Sequence, residues 1–362
     1  MSGNSFGKVL VLTTFGESHG EAVGGVLDGF PSNFEIDLPY IQFELNRRRP
    51  GMEFLASPRQ EEDILHVISG IFEGKTTGAP IAFLVYNNDQ KPGDYDQISK
   101  VYRPSHADFT WQKKYGIRDP RGGGRSSARE TVARVAGGAF AKLFLHSKNI
   151  RIRSWISQIG PFQIADPETG VPDPDQTGSP FLNGDPAILD FLKQIKAEGD
   201  TTGGIISCAM TGVPAGLGEP VFDKLQADLA KAMFSINAVK GFEYGSGFRG
   251  ASMRGSEHND LLVNRDGEIR TLTNHSGGIQ GGISNGEEIR FRVAFKPVST
   301  LMKDQETLNL SGEPVTLKGK GRHDICVVPR ALPIVEAMGA LVLADHLRRE
   351  QGHSFGSCCE RQ

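Results

Sequence analysis

The spacing of hydrophobic and polar residues predicts a mixture of strands and helices along the chain. Apolar runs, and runs in which apolar and polar residues alternate, predict strands at residues 7–13, 21–31, 79–87, 203–216 and 287–297. Apolar residues with helical spacing predict helices at residues 38–49, 131–145, 185–200, 221–236 and 331–352. Both element types are distributed through the chain, which favours an α+β fold.

Local signals mark where several of these helices begin. Asp37 and Asp185 each precede a helix that has proline in its first turn, so each is placed to act as a cap. Ser127 and Glu130 have the spacing of a capping box before the helix at 131–145. The glycine pair at 137–138 lies inside that helix and costs about 1 kcal/mol per residue in helix propensity. Close packing against another backbone would explain why both glycines are present.

Long polar loops separate the predicted elements. The segments 87–105, 160–184 and 237–286 are rich in Gly, Asp and Pro, and long ordered loops in a compact domain are usually functional. The chain contains neither a fixed-period repeat nor a stretch of linker-like composition. We therefore expect residues 1–362 to form a single α+β domain.

Composition narrows the class of protein. The 362 residues are 38% hydrophobic and carry a formal net charge of −3, so bulk charge gives no sign of nucleic-acid binding. No apolar run is long enough to span a membrane, and we expect no signal peptide. Its cysteines do not have the spacing of a zinc site, and we expect a reduced, cytoplasmic protein without metal. The cysteines are Cys208, Cys326, Cys358 and Cys359, and we assign no role to the last two.

Arginine and glycine are concentrated in the same places. The chain has 45 glycines, and its arginines cluster at residues 46–51, 102–104 and 117–134. Glycine lets backbone N–H groups approach a ligand, and arginine binds carboxylate or phosphate through two hydrogen bonds. A single arginine would be explained as well by a solvated surface. Three clusters joined to glycine loops instead favour an anion-binding site.

Residues 16–20, GESHG, match the G-x-S-x-G pattern of serine hydrolases, in which Ser18 would be the nucleophile. That pattern requires a strand, a sharp turn and then a helix, whereas residues 21–31 are too rich in glycine and β-branched residues for a helix. Only 17 residues precede Ser18, which leaves no room for the usual oxyanion loop. We keep the serine hydrolase as an alternative and favour a loop in which Ser18 supports His19.

Other loops carry glycine, arginine, serine or histidine in dense groups. They are residues 102–116, 119–130, 274–286, 296–300 and 319–338. The successive glycines of 119–130 precede a helix and can form a nest for an anion, although an ordinary glycine-rich turn would have a similar sequence. Taken together, the loops suit polyanionic ligands. A flavin- or phosphate-binding protein without catalysis is therefore a second alternative.

These motifs resemble the chorismate synthase family along essentially the whole chain. The family's three signature regions correspond to GESHG at 16–20, GRSSARETVARVAGGAF at 124–140 and GRHDICVVPRALPIVEAM at 321–338. RRRPG, RPSHAD and NHSGGIQGGIS also match in the family's order. The resemblance implies a β-α-β sandwich with long glycine-rich active-site loops, assembled as a homotetramer.

The resemblance also implies a reaction. Members of the family are lyases that remove phosphate from 5-enolpyruvylshikimate 3-phosphate by anti 1,4-elimination, giving chorismate in the last step of the shikimate pathway. They are flavoproteins that require reduced FMN, although the reaction has no net redox change. Whether NADPH reduces the flavin on the enzyme or an external reductase does so is left open. Many members carry arginine where this chain has Phe54, at a position linked to substrate or NADPH contact.

Site residues follow from the resemblance, position by position. His19 matches the histidine that keeps the reduced flavin suitably protonated, His106 matches the proton donor near the leaving phosphate, and Asp324 matches the carboxylate that removes the substrate proton. Substrate anions would be bound by Arg48, Arg49, Arg103, Arg129 and Arg322, and NADPH by Arg48. The implied flavin contacts are Arg125, Ser126, Ser127, Asn237, Ala238, Gly281, Lys296, Pro297, Val298, Ser299, Thr300 and Arg322.

Overall fold

The computed structural model describes residues 3–48, 62–88, 98–119, 122–163, 186–319 and 324–350. The helices in these ranges are α1 Leu38–Arg47, α2 Asp108–Tyr115, α3 Thr131–His146, α4 Pro186–Ala197, α5 Leu225–Phe234, α6 Gly255–His258 and α7 Val328–Glu350. The strands are β1 Ser5–Phe6, β2 Val11–Gly16, β3 Ala22–Asp28, β4 His66–Ser69, β5 Ile71–Phe72, β6 Lys75–Thr76, β7 Ile81–Tyr86, β8 Arg151–Ile159, β9 Phe162–Gln163, β10 Gly204–Thr211, β11 Val239–Tyr244, β12 Leu262–Arg265, β13 Glu268–Thr271, β14 Ile279–Gln280, β15 Ile283–Ser284, β16 Ile289–Phe295, β17 Gln305–Leu308 and β18 Pro314–Leu317.

Two antiparallel five-stranded sheets form the framework. The first has the strand order β1-β2-β3-β7-β4, and the second has the order β11-β16-β10-β8-β9. In the first sheet Val23 of β3 is opposite Val85 of β7, and in the second Cys208 of β10 is opposite Phe291 of β16. Along β16 every second residue is buried, which confirms the alternation in the sequence.

Helices α3 and α7 fill the space between the sheets. α3 packs on β2 and β3 of the first sheet, α7 packs on β8 and β10 of the second, and the two helices pack along each other. A Cβ added to Gly138 would lie 2.3 Å from the Cβ of Ala337 on α7, whereas one on Gly137 would meet the side chain of Leu12 on β2. The glycine pair thus brings α3 close to its neighbours on both sides. This layering confirms the expected β-α-β sandwich.

The predicted helix starts are partly confirmed. Asp37 caps α1, because its Oδ1 accepts from the backbone N–H of Tyr40 at 2.9 Å. Ser127 also acts as a cap, but for a short 3₁₀ turn at Ala128–Glu130 that precedes α3, and its Oγ accepts from the N–H of Arg129. Glu130 pairs forward with Arg134 at 2.7 Å, so the predicted capping box is replaced by a 3₁₀ turn. Asp185 lies outside the described residues.

The sequence pattern missed several elements of the second sheet. The strand at Arg151–Ile159 was not predicted, and the segment 237–286, expected as a loop, contains one strand of that sheet and two hairpins. The helix expected from residue 221 begins at Leu225. Among the described helices, none combines the length and apolar character needed to cross a membrane.

Candidate active site

The GESHG loop is the turn of the β2–β3 hairpin. Gly16 ends β2 with φ +87°, where a Cβ would collide with the carbonyl oxygen of Ala22. Ser18 is 1% exposed, and its Oγ lies 3.0 Å from Nδ1 of His19. A strand therefore follows this turn, not the helix of a nucleophile elbow, and Ser18 is buried. The hydrogen bond instead fixes the His19 ring.

The glycine-rich loop before α3 closes over His19. Gly122 has φ +83°, and a Cβ there would lie 2.6 Å from Cε1 of His19. Arg125 holds the two loops together, since its guanidinium donates to the carbonyl oxygen of Gly16 and to Oγ1 of Thr14. The loop thus positions His19 through close backbone contact. Its arginine is engaged with the first sheet.

Asp63 joins Arg48 and Arg129, two arginines from different elements. Arg48 follows α1 and donates from Nη2 to Asp63 Oδ2 at 3.0 Å, while Arg129 donates from Nη1 to Asp63 Oδ1. Nε of Arg129 also donates to Asn87 Oδ1 at 2.8 Å. Burial would raise the pKa of Asp63, but the two guanidinium charges outweigh burial and lower that pKa. Asp63 is therefore ionised at neutral pH.

A second carboxylate, Asp108, organises the RPSHAD segment. Arg103 donates to both Asp108 oxygens, from Nε at 2.7 Å and from Nη2 at 2.8 Å, and Arg118 approaches Oδ1 at 3.0 Å. Nδ1 of His106 lies 2.9 Å from the same Oδ1. Burial would raise the pKa of Asp108, but hydrogen bonds from Arg103 and His106 outweigh burial and hold it well below its ordinary value. An ionised Asp108 accepts from Nδ1–H of His106, which leaves Nε2 available for proton exchange.

Asp324 lies just before α7 and pairs with Arg330 of that helix at 3.0 Å. Arg330 is close enough to Arg48 for the two positive charges to interact. Burial lowers the pKa of Arg48 to about 10. The positive charges of Arg330 and Arg129 also lower this pKa, whereas the negative charge of Asp63 raises it. Asp324, Arg330, Arg48, Arg129 and Asp63 therefore belong to one electrostatic cluster.

Several of the expected flavin contacts are also brought together. Nδ2 of Asn237 donates to the carbonyl oxygen of Ser126 at 2.8 Å. Ala238 adopts φ +68°, and its carbonyl oxygen accepts from the N–H of Lys296 at 2.9 Å. Lys296 Nζ in turn reaches the carbonyl oxygen of Ser105, beside His106.

The segment that follows Lys296 lies beside Arg103. Ser299 and Thr300 line one recess with Arg103, and the carbonyl oxygen of Val298 accepts from Thr201 at 2.8 Å. Gly281 belongs to the β14–β15 hairpin, where the neighbouring Gly282 accepts from the start of α5. Arg49, Phe54, Arg322, Cys358 and Cys359 lie outside the described residues.

Sequence reasoning missed several residues that pair with the candidate site residues. Asp63, Asp108, Arg118, Arg330 and Asn87 were not among the candidates, although Asp108 is part of RPSHAD and Arg330 follows Asp324 by six residues. Asp63 and Asn87 carried no signal, because their partners are distant in sequence: Asp63 pairs with Arg48, 15 residues before it, and with Arg129, 66 residues after it, and Asn87 pairs with Arg129, 42 residues after it. Within the described residues, no group of His, Cys, Asp and Glu is arranged to hold a metal ion. The arrangement suits binding of anions and transfer of protons by two histidines.

Comparison with known proteins gives one consistent family. A protein-family model for chorismate synthase matches residues 10–348. Chorismate synthases from Cytophaga hutchinsonii and Christiangramia forsetii are 55% and 56% identical to this chain, and in both cases the match covers 96% of this chain and 98% of the relative. A crystal structure of chorismate synthase superposes with a TM-score of 0.74 at 30% identity, covering 97% of this chain and 95% of that one.

Proposed function

The chain belongs to the chorismate synthase family, and we propose how its arginine-rich site uses reduced FMN in the family's reaction. That reaction is the anti 1,4-elimination of phosphate from 5-enolpyruvylshikimate 3-phosphate, which yields chorismate in the shikimate pathway. The substrate carries two carboxylates and a phosphate. A site built from paired arginines and histidines matches both the charge of this substrate and its need for proton transfer.

The residues around Asn237 fit a flavin. Oδ1 of Asn237 is buried and has no hydrogen-bond partner among the described residues, so it can accept from an N–H donor such as the pyrimidine edge of a flavin carries. Ser126 and Lys296 are hydrogen bonded to the same short segment, Asn237–Ala238. When bound, reduced FMN would supply electron density to the allylic system as the phosphate leaves. Asn237, Ala238, Ser126, Ser127, Arg125 and residues 296–300 would hold it, with Gly281 and Arg322 as further contacts.

Arginines would bind the anionic groups of the substrate. Arg48, Arg129 and Arg103 are 5–7% exposed and are already fixed by carboxylates. Preorganised guanidinium groups pay little entropy on binding, and in a site with little water their charges act strongly. Arg49 and Arg322 are proposed for the same role from their sequence positions.

Two histidines would manage protons. His106 is oriented by Asp108 and would donate to the departing phosphate from Nε2. His19 is held through Nδ1 by Ser18 and by the glycine loop, and it would keep the reduced flavin in the reactive protonation state. Asp324 would remove the proton from the substrate.

One observation carries the proposal most directly: His106, Arg103 and Asp108 form one hydrogen-bonded group that is joined through Gly122 to His19. The test is an anaerobic assay of the protein with 5-enolpyruvylshikimate 3-phosphate and chemically reduced FMN, following chorismate absorbance and phosphate release. We expect turnover that requires the flavin, and a loss of about 10²-fold or more in His19→Ala and His106→Ala.

The alternatives give different results in the same assay. A serine hydrolase would need no flavin and would react with a fluorophosphonate at Ser18. A binding module would take up FMN and form no product. Near-wild-type rates in both histidine variants would contradict the residue assignments even if chorismate formed.

The remaining features of the proposal concern the whole enzyme. We propose a cytoplasmic homotetramer with one catalytic domain per chain. The packing of α3 and α7 between the sheets supports one domain, and the exposed apolar residues Leu262 and Ile269 of the β12–β13 hairpin support contacts between chains. If NADPH is the reductant, Arg48 is its proposed contact. Anaerobic turnover with NADPH and oxidised FMN tests this role.

A further inference from the structure

We propose that Asp63 is a positioning residue that sets the anion affinity of the Arg48–Arg129 pair, by acting as an internal anion that competes with the bound substrate. This inference rests on the proposed function, since it takes Arg48 and Arg129 as substrate-binding groups. Three observations support this inference. They are the geometry of the ion pairs, the backbone contacts that position Asp63, and the charged residues around Asp63.

The carboxylate lies between the two arginines and uses both oxygens on them. Oδ2 accepts from Arg48 Nη2 at 3.0 Å, and Oδ1 accepts from Arg129 Nη1. All three side chains are buried, with exposed fractions of 4–6%. A phosphate or carboxylate bound by these guanidinium groups would lie beside the Asp63 carboxylate, so the two anions would share the same positive charges and repel each other.

The backbone holds Asp63 in place without help from this ion pair. Asp63 has φ +49°, a conformation that Asp and Asn tolerate better than most residues. Nε2 of Gln42 on α1 donates to the carbonyl oxygen of Asp63 at 3.1 Å, and Oε1 of Gln42 accepts from the N–H of Leu65 at 3.1 Å. The helix that ends next to Arg48 therefore also fixes the segment that carries Asp63. Asn at position 63 suits the same backbone conformation; it removes the charge and replaces one of the two accepting oxygens with an NH2 donor.

Further positive charge lies beside the pair. Arg330 is near enough to lower the pKa of Arg48, and Arg330 is itself paired with Asp324. Nε of Arg48 is buried and has no hydrogen-bond partner in the part of the chain that the structure describes. The cluster can accept a further anion, and the Asp63 charge reduces how tightly that anion binds. The fold needs this charge, because two uncompensated buried guanidinium groups would be costly.

The test compares wild type, Asp63→Asn and the control Asp228→Asn in the reduced-FMN assay, with inorganic phosphate as competing anion. Asp228 pairs with His346 and Arg349 near the end of α7, so Asp228→Asn removes a comparable ion pair outside the site. We expect the inhibition constant of phosphate to fall by about tenfold or more in Asp63→Asn, the scale of one charged hydrogen bond. We also expect kcat to fall, because the two guanidinium groups lose their fixed geometry. Phosphate inhibition in Asp228→Asn should match wild type.

The outcomes separate this inference from the function it rests on. If wild type forms no chorismate, the proposed function fails. If wild type turns over but phosphate inhibits Asp63→Asn equally or more weakly, Asp63 is only structural and the inference is overturned. A double variant, Arg48→Ala with Asp63→Asn, adds a second check: the gain in phosphate affinity should shrink when Arg48 is absent. An undiminished gain would show that the effect does not pass through the pair.

Discussion

At the scale of single residues, each group of cations in the site has its own carboxylate. Asp63, Asp108 and Asp324 each bind one or more arginines, and Asp108 also binds His106. Burying a guanidinium group without a partner is costly, so these carboxylates allow an arginine-rich site to fold before any ligand arrives. In the proposed function, substrate binding would then exchange one set of ionic partners for another. The affinity for an anion would be the difference in free energy between the contacts that it forms and the contacts with carboxylates that it replaces. This difference would keep such a positively charged site from binding every anion tightly.

Gly122 offers a direct test of how the glycine loop positions His19. In Gly122→Ala the new Cβ would lie 2.6 Å from His19 Cε1, so the ring must move. We expect kcat to fall by about tenfold to a hundredfold, since displacement of a reacting group by about 1 Å has effects of that size. Steady-state kinetics under anaerobic conditions measure this change.

Gly74→Ala is the matched control for Gly122→Ala. Gly74 has a similar left-handed φ of +77°, but no heavy atom lies within 4 Å of a Cβ added there. Both variants carry the backbone strain of alanine in this region, about 1 kcal/mol, and only one displaces His19. Equal kcat in the two variants would show that strain, not contact with His19, explains the effect.

At the scale of elements, the sequence predicts those features of helices and strands that depend on neighbouring residues. α1 begins at its predicted cap, and β16 shows the predicted alternation, because each depends on residues within a few positions. β8 was missed although it has nine residues and pairs with both β10 and β9 in the second sheet. It contains polar residues such as Ser154 and Ser157, whose hydroxyls bond to α7 and to β10. The spacing of apolar residues along the chain gives no information about hydrogen-bond partners this distant in sequence, so it did not predict β8.

Gly138 tests the close approach of α3 and α7. A Cβ in Gly138→Ala would lie 2.3 Å from Cβ and 2.5 Å from Cα of Ala337, so the helices must separate. We expect a loss of about 2–3 kcal/mol in the free energy of unfolding, despite the higher helix propensity of alanine. Gly137→Ala is the control, because it meets only the flexible end of Leu12 at 2.9 Å. Urea unfolding should show the larger loss at 138, and Ala337→Gly should restore part of it; equal losses would contradict this packing.

A buried ionic network ties α1, α3 and α7 together around Glu336. Its carboxylate accepts from Arg47 of α1 at 2.5 Å, from Lys142 of α3 at 2.5 Å and from the N–H of Ser154 at 3.0 Å. Burial would raise the pKa of Glu336, but Lys142 and Arg47 outweigh it and lower the pKa to about 2. A depressed pKa in the folded state stabilises the protein above the ordinary value near 4.5, and this stability is lost as the pH falls toward 2.

Glu336→Gln should reveal that pH dependence. At pH 7 we expect the variant to lose about 3 kcal/mol in the free energy of unfolding, because Arg47 and Lys142 keep their charges without this partner. As the pH falls from about 4.5 toward 2, the unfolded wild type binds a proton at Glu336 before the folded protein does, so the stability that this charge contributes is lost and the difference should narrow. Urea unfolding at a series of pH values measures it. A difference that stays constant would assign the effect to packing and not to charge.

At the scale of the molecule, the motifs predicted most of the candidate site residues but not the carboxylates that pair with them. His19, His106, Arg125 and Asn237 lie far apart in sequence and are linked in the structure through intermediate residues such as Gly122, Asp108, Gly16 and Ser126. Each could be singled out because it belongs to a short glycine- or arginine-rich segment or to a matching family position. Asp63 could not, because its role depends on two arginines that only folding brings to it. Ion pairs between residues distant in sequence therefore cannot be predicted from local patterns in a single sequence.

Asp345 joins the two ends of the described chain. Its Oδ1 accepts from three successive backbone N–H groups, those of Lys8, Val9 and Leu10, at 3.0, 2.7 and 2.9 Å. The contact spans 335 residues from Leu10 and secures the start of β2 to α7. A buried carboxylate with three amide donors forms strong, charge-assisted hydrogen bonds. Its loss should therefore loosen the first sheet and the helix layer together.

Asp345→Asn keeps the shape of the side chain and removes its charge. We expect a loss of about 2 kcal/mol in the free energy of unfolding, with faster amide hydrogen exchange at residues 8–10. Asp260→Asn is the control, since Asp260 also accepts from backbone amides, at His275 and Ser276, but closes a loop of only 15–16 residues. Exchange at residues 8–10 should stay at the wild-type rate in that variant. If both variants destabilise the protein equally and leave residues 8–10 protected, Asp345 does not link the two ends, and the first sheet is held to α7 by apolar packing alone.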